Sequence, residues 1–204
     1  MGLADFGLPC DLVEFLATEH GLDSFFETGT YYGGSSAWAA ERFATVRTVE
    51  SAPRLFAIAR LKLSRFANVQ LEFGDSRAAL ARALPGLPPT LFWLDAHWAG
   101  GQTAGGSDDQ CPLLDELRLI APHLDRHFVL IDDARLFAMP PPLPHDATAW
   151  PCLAEVFDVL RSRHQPYITI SRDVIAAVPA HAKPSLVAYF QHALSNADAP
   201  AIKD

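Results

Sequence analysis

The sequence predicts an α/β fold of the Rossmann-like kind: a mostly parallel central sheet with helices on both faces, closed by an antiparallel hairpin near the C-terminal end. Three observations predict it. Short β-rich apolar runs at residues 24–28, 46–50, 69–73, 90–94 and 128–132 alternate with longer stretches of helical periodicity at 35–43, 53–66, 76–84 and 113–121. That rhythm builds parallel strands buried on both faces. Right-handed crossovers then bring the polar residues that close these runs to one side of the sheet. Finally, the runs at 167–171 and 173–178 are separated by too little chain for a crossover, so they pair only as an antiparallel hairpin.

The remaining elements follow in order. Residues 12–19 read as a helix ahead of the first strand, and Pro53 stands where the first turn of a helix tolerates proline. A helix is expected from about 150 to 163, and Pro184 followed by Leu186, Val187, Phe190 and Leu194 predicts a closing amphipathic helix. The chain is expected to be one domain over 1–204, with a helical N-terminal segment at 1–22 and a frayed tail from about 195. Two stretches break the rhythm. Residues 99–110 are rich in Gly, Ser, Thr and Asp, and 139–146 carry prolines at 140, 141, 142 and 144; loops of this length are expected to be lids or binding segments.

The formal charge of -8 opposes a nucleic-acid or anionic-membrane partner, because the arginines (Arg54, Arg60, Arg65, Arg77, Arg82) are scattered over stretches that read as solvated helix faces. No basic start with an apolar core is seen, and no long uncharged apolar run, so neither a secretory signal nor a membrane span is expected. Cys10, Cys111 and Cys152 are odd in number and far apart, which suits a reducing cytoplasm.

The first strand runs directly into Glu27-Thr28-Gly29-Thr30-Tyr31-Tyr32-Gly33-Gly34, an acid and glycines between a strand and a helix. Glycine there permits a tight turn and close backbone approach to a ligand, and the helix start offers free N–H donors. Glu50 closes the second strand, about 20 residues past the glycine turn, where Rossmann-type sites hold a ribose diol. Asp75, with Ser76, follows the third strand, placed either to meet an adenine amino group or to cap the next helix. A dinucleotide site would want glycine where Tyr31 stands. Glu27 would repel a pyrophosphate but suits the ammonium and sulfonium of S-adenosylmethionine.

This segment resembles the first motif of class I methyltransferases. It is most similar to the metal-dependent macrocin O-methyltransferase group and the related cephalosporin-hydroxylase-like proteins, which carry an E-T-G-x-x-x-G-G form. The resemblance covers about 25–133 and fades beyond. It implies that Glu27, Gly29 and Gly33, with Thr30 in the same turn, hold the methionine part of the donor, that Glu50 takes the ribose, and that Asp75 and Ser76 border the adenine.

Asp95 ends the fourth strand in Trp93-Leu94-Asp95-Ala96-His97-Trp98, and Asp132-Asp133-Ala134-Arg135 ends the fifth. If the strands are neighbours, three carboxylates converge and repel unless protonated or bridged by a cation. A hard divalent ion, Mg²⁺ first, is the natural neutraliser; the alternative is that the acids turn the chain through side-chain to backbone bonds. The macrocin-type resemblance places metal-binding carboxylates at these two strand ends, on Asp95, Asp132 and Asp133. His97 stands where the related group tends to have an acid, and is open to three roles: general base, fourth ligand or loop histidine. Arg135 either pairs with the acids or holds an anionic substrate group. Trp98, Trp150 and His145 are candidates for shaping an acceptor pocket, with packing as the alternative.

The expectation is therefore an S-adenosylmethionine-dependent methyltransferase acting on a hydroxyl of a small molecule with help from a divalent cation, His97 and Asp95 being the catalytic pair and Asp95 also a donor-binding residue. A homo-oligomer is compatible with the sequence. The rivals are a hydroxylase-like oxidative enzyme on the same scaffold and a catalytically silent donor-binding subunit; a nicotinamide-dependent dehydrogenase is disfavoured by Tyr31 and Glu27.

Overall fold

The computed structural model describes residues 7–98, 100, 103 and 109–197. Seven strands form one sheet: β1 (Ser24–Thr28), β2 (Thr45–Glu50), β3 (Val69–Phe73), β4 (Thr90–Leu94), β5 (Phe128–Ile131), β6 (Tyr167–Ser171) and β7 (Val174–Val178). Their order is β3-β2-β1-β4-β5-β7-β6. β1 to β5 are parallel, and β7 runs antiparallel to both β5 and β6. The hairpin thus inserts its second strand beside β5.

Strand alternation divides the core. On one face Phe26, Phe92, Leu94, Val129, Ile131 and Ile175 pack against α4 (Ser76–Ala83), α5 (Leu113–Ile120) and α7 (Leu153–Leu160). On the other face Phe25, Val46, Leu91, Trp93, Leu130 and Ala176 meet α1 (Cys10–His20), α2 (Gly34–Ala40) and α8 (Lys183–Ala197). Full burial of each large apolar side chain contributes about 1.5–3 kcal/mol, and both faces of β1, β4 and β5 are filled. This explains why those runs read as continuously apolar rather than alternating.

Helices end where local chemistry tells them to. α1 closes on Gly21 in the left-handed region, α3 (Pro53–Leu63) starts on its proline, and α4 is capped by Asp75, whose carboxylate accepts from the main-chain N–H of Arg77 and Ala78. The expected helices at 35–43, 53–66 and 150–163 are shorter than their periodicity suggested, each stopping in a turn. A five-residue helix, α6 (Ala134–Ala138), follows β5 and had not been expected; it is too short to show a period. The N-terminal helix starts at Cys10, and the closing helix continues through Ala197, past the point where fraying was expected. Residues 1–6, most of the 99–110 loop and the end of the expected tail lie outside the described residues. Among the described residues no helix is long and apolar enough to cross a membrane. Cys10, Cys111 and Cys152 are free thiols.

Candidate active site

The parallel topology delivers the C-terminal tips of β1 to β4 to one edge, where a cavity of about 340 Å³ opens. Gly29, Tyr31, Glu50, Asp75, Ser76, Arg77, Asp95, His97 and Asp109 stand on its wall, with Val49, Leu55 and Pro112 as apolar lining. It lies at the crevice outside the strand ends, where open α/β sheets bind their ligands.

Glu27 is not on that wall. It is 0% exposed, lies under the turn, and accepts hydrogen bonds from Ser35 Oγ, Ser36 Oγ and Thr48 Oγ1 (the last at 2.6 Å). Burial pushes its pKa up, and the three hydroxyls pull against that shift. Glu27 therefore ties β1, β2 and the start of α2 together, and its carboxylate, expected to face the donor's methionine end, does not reach the cavity wall. Thr30 is also buried, its Oγ1 2.6 Å from Thr48 Oγ1. Gly33 caps α2 at φ 69°, where an added Cβ would press on Leu63, and it is not on the cavity wall. Gly29 does line it, at φ 84°, but its need for glycine comes from behind: a Cβ there would collide with the Asp95 carbonyl oxygen. The first turn is thus packed directly on the backbone that follows β4.

Glu50 is 4% exposed and spends both oxygens on main-chain donors, Oε2 on Tyr31 N and Oε1 on Ala52 N, each at 2.8 Å. Asp75 does two jobs at once, capping α4 and pairing with Arg77 at 2.5 Å. Arg77 also reaches Asp109 at 2.5 Å. Bonds to these acids raise the guanidinium's pKa and lower that of Asp75. Arg77 was expected on a solvated face; instead it fastens the end of the 99–110 loop to the rim of the cavity.

The tips of β4 and β5 are adjacent, as the register Leu94↔Ile131 requires. Asp95 keeps a third of its side-chain surface open to the cavity, yet its pKa is raised well above the usual carboxylate range by desolvation and by the neighbouring Asp132 and Asp133 charges. Asp132 is pushed up to about 6 by burial first and Asp133 second. Asp133 goes the other way: despite burial its pKa is lowered, because His97 and Arg135 face it. His97 Nε2 lies 2.6 Å from Asp133 Oδ2, Arg135 Nη1 2.5 Å from Asp133 Oδ1, and His97 Nδ1 3.7 Å from Asp95 Oδ1. Arg135 is held in turn by Asp173 at the tip of the β6–β7 hairpin, which also accepts from Arg135 N at 2.8 Å.

This arrangement does not fit a divalent ion as it stands. Both Asp133 oxygens are engaged, one by His97 and one by the Arg135 guanidinium, and Asp132 Oδ1 accepts from Asp133 N at 2.8 Å. Among the described residues no group of three or more His, Cys, Asp or Glu side chains has metal-holding geometry. The expected meeting of Asp95, Asp132 and Asp133 does occur, with histidine and arginine as their partners.

Beside His97 the two loops meet in a cluster of rings. Trp150 stacks edge-on with His97 (centroids 5.3 Å) and His145 (5.2 Å), and His145 with Trp98 (5.1 Å). Gln110 Oε1 pins it, accepting from Trp150 Nε1 and Asp146 N. Two site residues had escaped sequence reasoning altogether, Asp173 and Glu116. Glu116 is 1% exposed on α5, its carboxyl raised to about 7 by burial, with Thr28 Oγ1 donating to Oε2 at 3.4 Å. Its signal was visible: an acid on the apolar stripe of Leu113, Leu117 and Ile120.

Sheet order, flanking helices and the terminal hairpin together define the class I methyltransferase fold. Solved structures bear this out. An O-methyltransferase from Bacillus cereus in complex with S-adenosylhomocysteine superposes over 86% of this chain and 83% of its own, with a TM-score of 0.57 and 15% identity. An O-methyltransferase from Streptomyces achromogenes involved in tomaymycin synthesis, in complex with S-adenosylmethionine, covers 87% and 82% (TM-score 0.56, 16% identity). A methyltransferase from Podospora anserina bound to S-adenosylhomocysteine covers 83% and 76% (0.57, 16%). No family model matches the sequence, and no curated protein does.

Proposed function

We propose that the protein is an S-adenosylmethionine-dependent methyltransferase that methylates a hydroxyl of a small molecule. The observation that carries this reading is the cavity of about 340 Å³ at the strand tips, acid-walled by Glu50, Asp75, Asp95 and Asp109, with the His97–Asp133 pair at its edge. Its one wall arginine, Arg77, is committed to carboxylates, so the wall favours a cationic donor over a pyrophosphate. The charge argument first made for Glu27 passes to Asp95, which does face the cavity. The fold neighbours that carry S-adenosylmethionine or its product support the same donor.

In the reaction the acceptor oxygen attacks the methyl carbon in line with the sulfur, the S–CH₃ bond breaks, and its electron pair stays on sulfur as S-adenosylhomocysteine. The hydroxyl proton must leave. Asp133 accepts from His97 Nε2–H and so holds the ring with Nδ1 toward Asp95 and the cavity, the logic by which a carboxylate orients a basic imidazole. His97 Nδ1 takes the proton. Arg135, fixed by Asp173, keeps Asp133 ionised.

A divalent cation belongs to a second reading, favoured by the crowding of Asp95 and Asp132, whose raised pKa values a cation would relieve. It would have to draw Asp133 away from Arg135. Calorimetry with S-adenosylmethionine, with and without MgCl₂, on the wild type and on Asp95→Ala and Asp133→Ala, tests both. Donor binding without Mg²⁺, followed by methylation of a member of a hydroxyl panel, is the expected outcome. No binding at millimolar donor would sink the proposal; binding with no methylation would make the chain a silent donor-binding subunit.

A further inference from the structure

Behind the tip of β4 lies a small cavity of about 10 Å³ that shares Ala96, His97 and Pro112 with the wall of the donor cavity. Leu94, Leu113, Ile131 and Phe137 supply apolar walls, while Glu116 from α5 and His97 from the segment after β4 also stand on the wall. Glu116 Oε1 is fully buried and has no hydrogen-bond partner among the described residues, although Oε2 is taken up by Thr28. A buried carboxyl oxygen left without a partner costs on the order of 1–3 kcal/mol, enough to make an unfilled arrangement unfavourable. A water needs roughly 10–15 Å³ of such space and two or more polar partners. The cavity reaches the lower end of that size, Glu116 Oε1 supplies one partner, and His97 is the wall residue placed to supply the second.

We propose that this cavity binds one ordered water that bridges Glu116 Oε1 and His97, making Glu116 a positioning residue for the segment after β4. The water donates to the carboxyl oxygen and ties α5 to the residue that the proposed reaction uses as base. Glu116 touches neither donor nor acceptor. Thr28 donates to its other oxygen and the Ser76 hydroxyl also stabilises the carboxylate, so the carboxyl is fixed from the β1 and α4 sides while the water fixes it from the β4 side. The water site stands on geometry alone, whereas its effect on a base rests on the proposed function.

A crystal structure of the full chain with S-adenosylhomocysteine, at a resolution that shows ordered solvent, tests the site directly. One peak within hydrogen-bond distance of Glu116 Oε1 and of an atom of His97 is expected; an empty or apolar-filled cavity overturns the proposal. Glu116→Gln keeps an oxygen acceptor and retains the peak. Glu116→Met fills the space without a polar atom, loses the peak and shifts the ring ¹⁵N resonances of His97, while leaving the S-adenosylhomocysteine Kd within about twofold. Unmoved His97 resonances in Glu116→Met refute the positioning role, and should that variant fail to fold, the peak in the wild type and in Glu116→Gln decides. A chain that shows the water but ignores S-adenosylhomocysteine would defeat the proposed function and leave the water site standing.

Discussion

Glu50 closes β2 and Asp132 directly follows β5, both are nearly buried, and they are treated in opposite ways. At the C-terminal tips of β1, β2 and β3 three acids are answered by the chain itself: Glu27 by three hydroxyls, Glu50 by two main-chain N–H groups, Asp75 by a helix start and Arg77. Around β4 and β5, Asp95 and Asp132 are raised by burial and by neighbouring carboxylates, and only Asp133, held by both His97 and Arg135, is lowered. The difference teaches that one side of the crevice is a preformed cradle and the other a reactive edge. Pre-satisfied carboxylates give rigid shape; crowded ones hold an unsettled proton balance, the usual mark of chemistry.

The largest test strikes the join between the two sides. Gly29→Ala forces a Cβ onto the Asp95 carbonyl from a left-handed backbone, so a loss of about 2–5 kcal/mol in denaturant-measured stability is expected, together with loss of donor binding. An unchanged midpoint would show that cradle and edge are not packed on each other.

The second sharpens the electrostatic contrast. Glu116, beside the reactive edge, has its carboxyl raised from 4.5 to about 7, so the folded state binds more protons than the unfolded one across that interval. Its contribution is fully present below pH 4.5 and lost as pH rises through about 7, amounting to roughly 3 kcal/mol. Stability of the wild type minus that of Glu116→Gln should therefore fall from pH 4.5 to 7. Taking the difference cancels the opposite slope from His127, a 0% exposed imidazole that accepts from Thr90 N and is held near 4 by burial. A flat difference curve would erase the contrast.

Third, Asp133→Asn should lower methyl transfer about 100-fold while leaving donor affinity unchanged, because it removes the carboxylate that orients His97. Equal loss in binding and turnover would move Asp133 into the cradle. The smallest effect is expected at Arg77→Gln: this third-exposed bridge between Asp75 and Asp109 should cost about 1 kcal/mol, or fivefold in donor affinity by calorimetry.

Much of this was legible before any coordinates. The strand runs, their acidic ends, the glycine turn and the antiparallel hairpin follow from periodicity and turn chemistry, which act over a few residues. Other features depended on partners far along the chain. Nothing local to Glu27 announces that Thr48 will cover it, and nothing in Asp132-Asp133 announces Asp173, because β7 enters beside β5 from beyond residue 170. Glu116 was legible but easily read as a solvated helix acid, and α6 was too short to show a period.

By itself the sequence determined the α/β architecture and the side of the sheet where acids gather, since both follow from side-chain alternation along strands and the handedness of their connections. Only the tertiary structure decided which of those acids face the cavity and which are neutralised beneath it. Exposure and charge compensation are set by what packs across a gap, and for Glu27, Asp95 and Asp133 the deciding neighbours come from other elements of the fold.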